Sequence, residues 1–303
     1  MLRPLAVLAL AALGCAAPGG NRRNAPASRS EASRAYDARF PDPASPLDRH
    51  DLSSSERSGV TVIDLTYAGA PGTEPVRATL VRPRTEGRGG PGVLWVHWLG
   101  EPATTNRGEF LEEAVELAQA GATSLLVDAL WSAAGWYERR TIDRDPEDFS
   151  AQVVSLRRGL DLLAQEPQVD PDRLGLVGHD FGGMTGMLAG AADGRPRAYA
   201  LLAMTPRFER WMFYDPKKRP ADEAEYRKRL ARLDPVDALP TLEGALLIQL
   251  AEKDFYVPAE QIEEWRRAAS GRGELRTYPT SHAMDAPQVR KDRTEWLRHT
   301  LRL

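Results

Sequence analysis

From about residue 56 onward the chain alternates two hydrophobic patterns. Nearly continuous apolar runs such as GVLWVHWLG and TSLLVDAL read as strands buried on both faces. Between them, GEFLEEAVELAQAG and PEDFSAQVVSLRRGLDLLAQEP carry apolar residues at helical spacing, the first ending at Gly121 and the second before Pro167. VTVIDLTYAG and VRATLVRPR, joined by a Gly/Pro turn, read as an opening pair of strands. RLGLVGHD is a strand that runs into a turn, and GGMTGMLAGAA is a small-residue helix behind it. The strand AYALLAMTP, a charged excursion from Arg207 to Leu239, and the strand GALLIQLAEKD follow. PAEQIEEWRRAAS reads as a helix, ELRTYPTSH as a strand, and APQVRKDRTEWLRHTL as a closing helix.

Strands that alternate with helices of this length predict an α/β fold: a doubly wound, mostly parallel sheet of about eight strands, with a short excursion after the sixth. Ligands of such sheets sit outside the carboxyl ends of the strands. His97, Asp128, Asp180, Asp254 and His282 all fall at those ends. Of the other histidines, His179 reads as a packing residue, while His50 and His299 lie in the N-terminal segment and the last helix.

The stretch VGHDFGG places Asp180 between Gly178 and Gly182, with Gly183 adding room. Glycines two positions either side of a central residue let a strand and a helix meet at a sharp turn that exposes that residue. The plainer reading is a loop in which Asp180 caps the following helix. The order Asp180, Asp254, His282 matches the order nucleophile, acid, histidine. On GLVGHDFGG, LAEKDFYVP and YPTSHAMD, residues 60 to 303 resemble the α/β-hydrolase superfamily, with a dienelactone hydrolase-like layout. The GHDFGG turn resembles the elbow of epoxide hydrolases and haloalkane dehalogenases.

The resemblance implies Asp180 as nucleophile, His282 as base and Asp254 as the group that orients it. It implies an oxyanion hole from the N–H of Leu99 or its neighbour Trp98, together with that of Phe181. A carboxylate that attacked an ester would form a mixed anhydride, more reactive than the ester itself. Attack at a saturated carbon instead gives a stable alkyl-enzyme ester, which a water activated by His282 then hydrolyses. The leading expectation is therefore displacement on an epoxide or alkyl halide. Two departures stand against it: the side chain of Phe181 has no N–H to hold a halide, and the tyrosines available to protonate an alkoxide, Tyr137, Tyr214 and Tyr226, read equally as packing residues. The alternatives are a carboxyl-ester or lactone hydrolase in which Asp180 acts as a base towards water, and a binding lipoprotein on the same fold that has lost its chemistry.

Composition narrows the partners. A formal charge of -3 over 303 residues gives no reason to expect nucleic-acid binding, and no GxGxxG follows the first core strand. No Cys/His spacing suggests a metal site, and no cofactor is expected. A small-molecule substrate is the expected ligand. Residues 1–15, MLRPLAVLALAALGC, have a basic start and an apolar stretch too short to span a bilayer. The lone cysteine, Cys15, closes a segment that resembles a lipobox, so a lipid anchor on the cell envelope is expected, the bland alternative being an ordinary signal peptide. Residues 16–55, rich in Ala, Pro, Ser and Arg, lack a hydrophobic period and are expected to be a flexible tether. Residues 56–303 are the hydrolase domain.

Overall fold

Nine strands form one sheet in the computed structural model, which describes residues 31–84, 87, 89–100 and 106–303. The strands are β1 (His50–Arg57), β2 (Val60–Tyr67), β3 (Val76–Pro83), β4 (Gly90–Val96), β5 (Thr123–Val127), β6 (Val169–His179), β7 (Pro196–Leu202), β8 (Ala245–Ala251) and β9 (Glu274–Tyr278). Their order across the sheet is β1-β2-β3-β5-β4-β6-β7-β8-β9. β1, β2, β3 and β5 pair antiparallel in succession, and every pairing from β5 through β4 to β9 is parallel. This is the α/β-hydrolase fold.

The apolar runs explain the two cores. Along β4, Leu94 and Val96 face one cluster while Val93 and Trp95 face the other, the period-two alternation of a strand covered on both sides. The helices are α1 (Glu31–Arg39), α2 (Leu111–Gln119), α3 (Trp136–Arg139), α4 (Asp145–Gln165), α5 (Phe181–Asp193), α6 (Glu209–Met212), α7 (Glu223–Leu230), α8 (Pro235–Ala238), α9 (Ala259–Ala268) and α10 (Pro287–Leu301). α4 and α5 bury their apolar residues in the first core, and α2 and α10 bury theirs in the second. The charged excursion after β7 becomes α6, α7 and α8.

The expected tether is corrected over residues 31–55. α1 packs on α5 and buries Tyr36 and Phe40, which are 5% and 1% exposed. Two adjacent arginines of α4 hold the chain that follows. Arg157 donates to the Phe40 carbonyl and pairs with Asp37 at 2.6 Å. Arg158, also buried, donates to the carbonyls of Pro43 and Pro46 at 3.2 and 2.6 Å. β1 then adds an edge strand whose residues are all exposed. Neither device leaves an apolar period in the sequence: the segment is held by backbone carbonyls and a strand ladder. Cys15 and residues 1–30 lie outside the described residues.

Candidate active site

β6 ends at His179 and α5 begins at Phe181, so the whole reversal falls on Asp180. Its φ of 53° and ψ of −121° lie where an L-residue is strained. Glycines make the turn possible. A Cβ at Gly182 would stand 2.6 Å from the His97 carbonyl oxygen, and one at Gly178 would meet the backbone of Gly182. Asp180 is therefore an elbow residue, fully buried, with its side chain presented at the carboxyl end of the sheet.

Three loops bring partners to it. Asp254 follows β8, and its Oδ1 accepts from the N–H groups of Tyr256 and Val257 at 2.8 and 3.1 Å, which fixes the carboxylate. Its Oδ2 is 2.8 Å from Nδ1 of His282, which follows β9. His282 Nε2 lies 4.0 Å from Asp180 Oδ2, an ion-pair distance. Asp180 Oδ1 and His282 Nε2 are buried and make no hydrogen bond within the protein. Burial by itself lowers the basicity of His282, but hydrogen bonding and charge from Asp180 and Asp254 outweigh it and raise the pKa to about 9. At neutral pH His282 is an imidazolium between two carboxylates.

The expected oxyanion donors separate. Leu99 N–H points at Asp180 Oδ2 over 3.4 Å, so this amide addresses the tip of the elbow. Phe181 N–H, at the first position of α5, has no acceptor inside the helix. Trp98 N–H is spent on Glu109 Oε2 at 3.0 Å, so Trp98 is not available as a donor. His97 shapes this loop: its Nδ1 donates to the Trp98 carbonyl at 2.8 Å and its Nε2 accepts from Ala129 N–H at 3.1 Å. Asp128 is engaged by Arg107 at 2.6 Å and stands apart from the other three.

Residues that the sequence reading passed over complete the surroundings. Glu109 precedes α2, where its position within a polar turn gives no signal. Its Oε1 meets His179 Nδ1 at 2.7 Å, and His179 Nε2 donates to the His282 carbonyl at 2.8 Å. Trp98 stacks on His179 with ring centroids 5.1 Å apart. Glu109 and His179 thus join the loop after β4, the elbow and the histidine loop. Trp211 of α6 stacks on Tyr256 at 4.9 Å, and Tyr256 stands 5.0 Å from His282. These rings, with Trp98, Trp136 and Tyr137, line a cavity of about 470 Å³ that His282 also borders.

The tyrosines proposed as acids are otherwise occupied. Tyr226 is buried and donates to Asp145 at 2.7 Å, and Tyr137 donates to the Trp211 carbonyl at 2.6 Å. Tyr214 stands 48% exposed at the rim. Among the described residues no group of His, Cys, Asp or Glu is arranged to hold a metal ion, and no helix is long and apolar enough to cross a membrane.

Residues 136–301 match the prolyl oligopeptidase family. No curated protein matches the chain. Among solved structures, an acetyl xylan esterase from Paenibacillus sp. R4 superposes with a TM-score of 0.71 at 18% identity, covering 88% of this chain and 92% of that one. Acetyl xylan esterase 1 from Thermoanaerobacterium sp. JW/SL YS485 gives a TM-score of 0.69 at 18% identity, over 89% and 94%. A proposed dienelactone hydrolase from Klebsiella pneumoniae gives 0.57 at 17% identity, over 80% and 98%. At such identities the likeness is one of fold. The family and these similarities fall on serine-type hydrolases of acyl bonds, and they overturn the expected displacement on an epoxide or alkyl halide. The engaged hydroxyls of Tyr226 and Tyr137 agree with that correction, because they leave a departing alkoxide without those acids.

Proposed function

The chain belongs to the prolyl oligopeptidase family, and from that premise we propose that it hydrolyses carboxylic esters or lactones with water activated at Asp180. It is a hydrolase of the α/β-hydrolase superfamily. The family has its chemistry at acyl carbons, and the structures aligned over nearly their full lengths include esterases. The observation that carries the reading is the elbow itself: a strained Asp180 facing an imidazole that a second carboxylate orients, beside a cavity.

In this reading Asp180 is a base. Its Oδ1, buried and without a protein partner, accepts a proton from a water whose oxygen attacks the acyl carbon. The N–H groups of Leu99 and Phe181 carry the charge that develops on the acyl oxygen. When the tetrahedral intermediate collapses, the imidazolium of His282 gives its Nε2 proton to the departing alkoxide. The proton on Asp180 then returns to His282 Nε2, which lies 4.0 Å from the other oxygen of that carboxylate, Oδ2, in the resting structure, and the product acid ionises into solvent. The raised pKa of His282 suits this role, since it keeps the acid protonated at neutral pH. A nucleophilic Asp180 would instead form a mixed anhydride, which is no gain over the ester.

A single turnover on 4-nitrophenyl acetate in ¹⁸O-labelled water tests the step. The label is expected in the acetate and absent from the peptide that contains Asp180. Label in the Asp180 carboxylate would overturn the base role, and failure to hydrolyse any ester would overturn the function.

The location belongs to the same proposal. The basic start, short apolar segment and lone Cys15 support export and attachment to the cell envelope through a lipid on that cysteine. Cys15→Ser is expected to move the protein from the membrane fraction to the supernatant with its activity intact.

A further inference from the structure

We propose that the cavity beside Asp180 and His282 selects esters that carry an ammonium group and rejects anionic ones. The inference rests on the ester-hydrolase reading and names the substrate class of the same site. Aromatic rings wall the cavity, among them Trp98, Trp136, Trp211, Tyr137, Tyr214 and Tyr256. Among the described residues no Lys or Arg lines it. The carboxylate on its wall has the other sign. Glu138 stands on the wall, and Asp180 and Asp254 lie behind His282, 4.0 and 2.8 Å from its ring nitrogens. Of the three, only Glu138 lines the cavity, and the other two carboxylates flank the His282 ring.

The neighbouring cations are turned to other partners. Arg140 packs over the Tyr137 ring and pairs with buried Asp145 at 3.2 Å. Arg139 donates to the carbonyls of Ala134 and Gly135, and Lys218 Nζ to that of Glu138 at 2.7 Å. What remains on the cavity wall is aromatic rings, the Glu138 carboxylate and His282. Aromatic faces are negative and attract an ammonium group within about 6 Å, most strongly where water is excluded. The same field opposes entry of an anion. A cavity of about 470 Å³ has room for a short acyl group and a small quaternary ammonium alcohol together. Tyr256 stands 5.0 Å from His282, so a cation held there remains close to the reacting carbonyl.

The test compares esters of one shape and different charge on the full-length enzyme. Acetylcholine, its uncharged isostere 3,3-dimethylbutyl acetate, and the anionic mono-3,3-dimethylbutyl ester of succinic acid are assayed at matched ionic strength. The choline ester is expected to exceed the isostere by about tenfold in kcat/KM, and the anionic ester to fall below it by a similar factor. Tetramethylammonium, followed by tryptophan fluorescence, is expected to bind, to compete with the substrate, and to bind several-fold more weakly to Trp136→Ala. If the isostere is hydrolysed as fast as the choline ester, or tetramethylammonium binding is absent or undiminished in Trp136→Ala, the substrate class is wrong while ester hydrolysis stands. If tetramethylammonium binds as expected but no ester is cleaved, the cation site stands and the ester-hydrolase reading falls.

Discussion

At the scale of single residues, the proposed hydrolysis rests on Asp180 and His282. With a carboxylate on either side, His282 keeps its proton until the pH reaches about 9. If that proton is the one given to the leaving group, kcat/KM on an activated ester falls as the pH rises through about 9, which a pH–rate profile checks. The same shift has a consequence for stability. The pKa is raised from 6.5, so the contribution is fully present below about 6.5 and is lost as the pH rises through about 9. Asp180→Asn removes one flanking charge, and the His282 pKa, read by NMR, is expected to fall. Its kcat/KM is expected to drop by at least about a hundredfold, the range of a lost general base. Glu109 acts at one remove. It holds Trp98 N–H and His179, and His179 holds the His282 carbonyl, so Glu109→Gln loosens two loops of the site together. A loss of roughly tenfold to a hundredfold in kcat/KM is expected for such a displacement. Retention of wild-type kinetics would show that the loops hold without it.

At the scale of elements, the elbow and the arginine pair of α4 are the points where the fold is least forgiving. Gly182→Ala places a Cβ against the carbonyls of Val96 and His97, which belong to the strand and loop that carry Leu99. Backbone cannot yield there as a side-chain tip can, and a cost of roughly 2–4 kcal/mol is expected in urea unfolding. Arg157→Ala leaves the Phe40 carbonyl without its buried donor and removes the Arg157 ion pair from Asp37. A loss of about 1–3 kcal/mol is expected, and amide exchange should quicken in α1 before it does in the central strands. Uniform exchange in the variant would mean that α1 is not held by this arginine.

At the scale of the whole molecule, the sequence and the tertiary structure divide the account. The strands from β4 to β8 were legible because burial on both faces of a parallel sheet demands long apolar runs. The elbow was legible because its close backbone approaches admit only glycine at Gly178 and Gly182. The order of Asp180, Asp254 and His282 along the chain put them after β6, β8 and β9, and topology then brings such ends together. Three things were not legible. Residues 31–57 fold through carbonyls held by Arg157 and Arg158 and through a polar edge ladder, and hydrogen bonds of that kind leave no hydrophobic period. Glu109 and His179 meet across 70 residues of sequence, so their pairing has no local spacing to betray it. The reaction itself does not follow from the aspartate alone. One residue type sets what chemistry is available at the elbow, but whether an acid stands ready for an alkoxide depends on where tyrosine hydroxyls point, and only the packed structure turns Tyr226 and Tyr137 to Asp145 and Trp211.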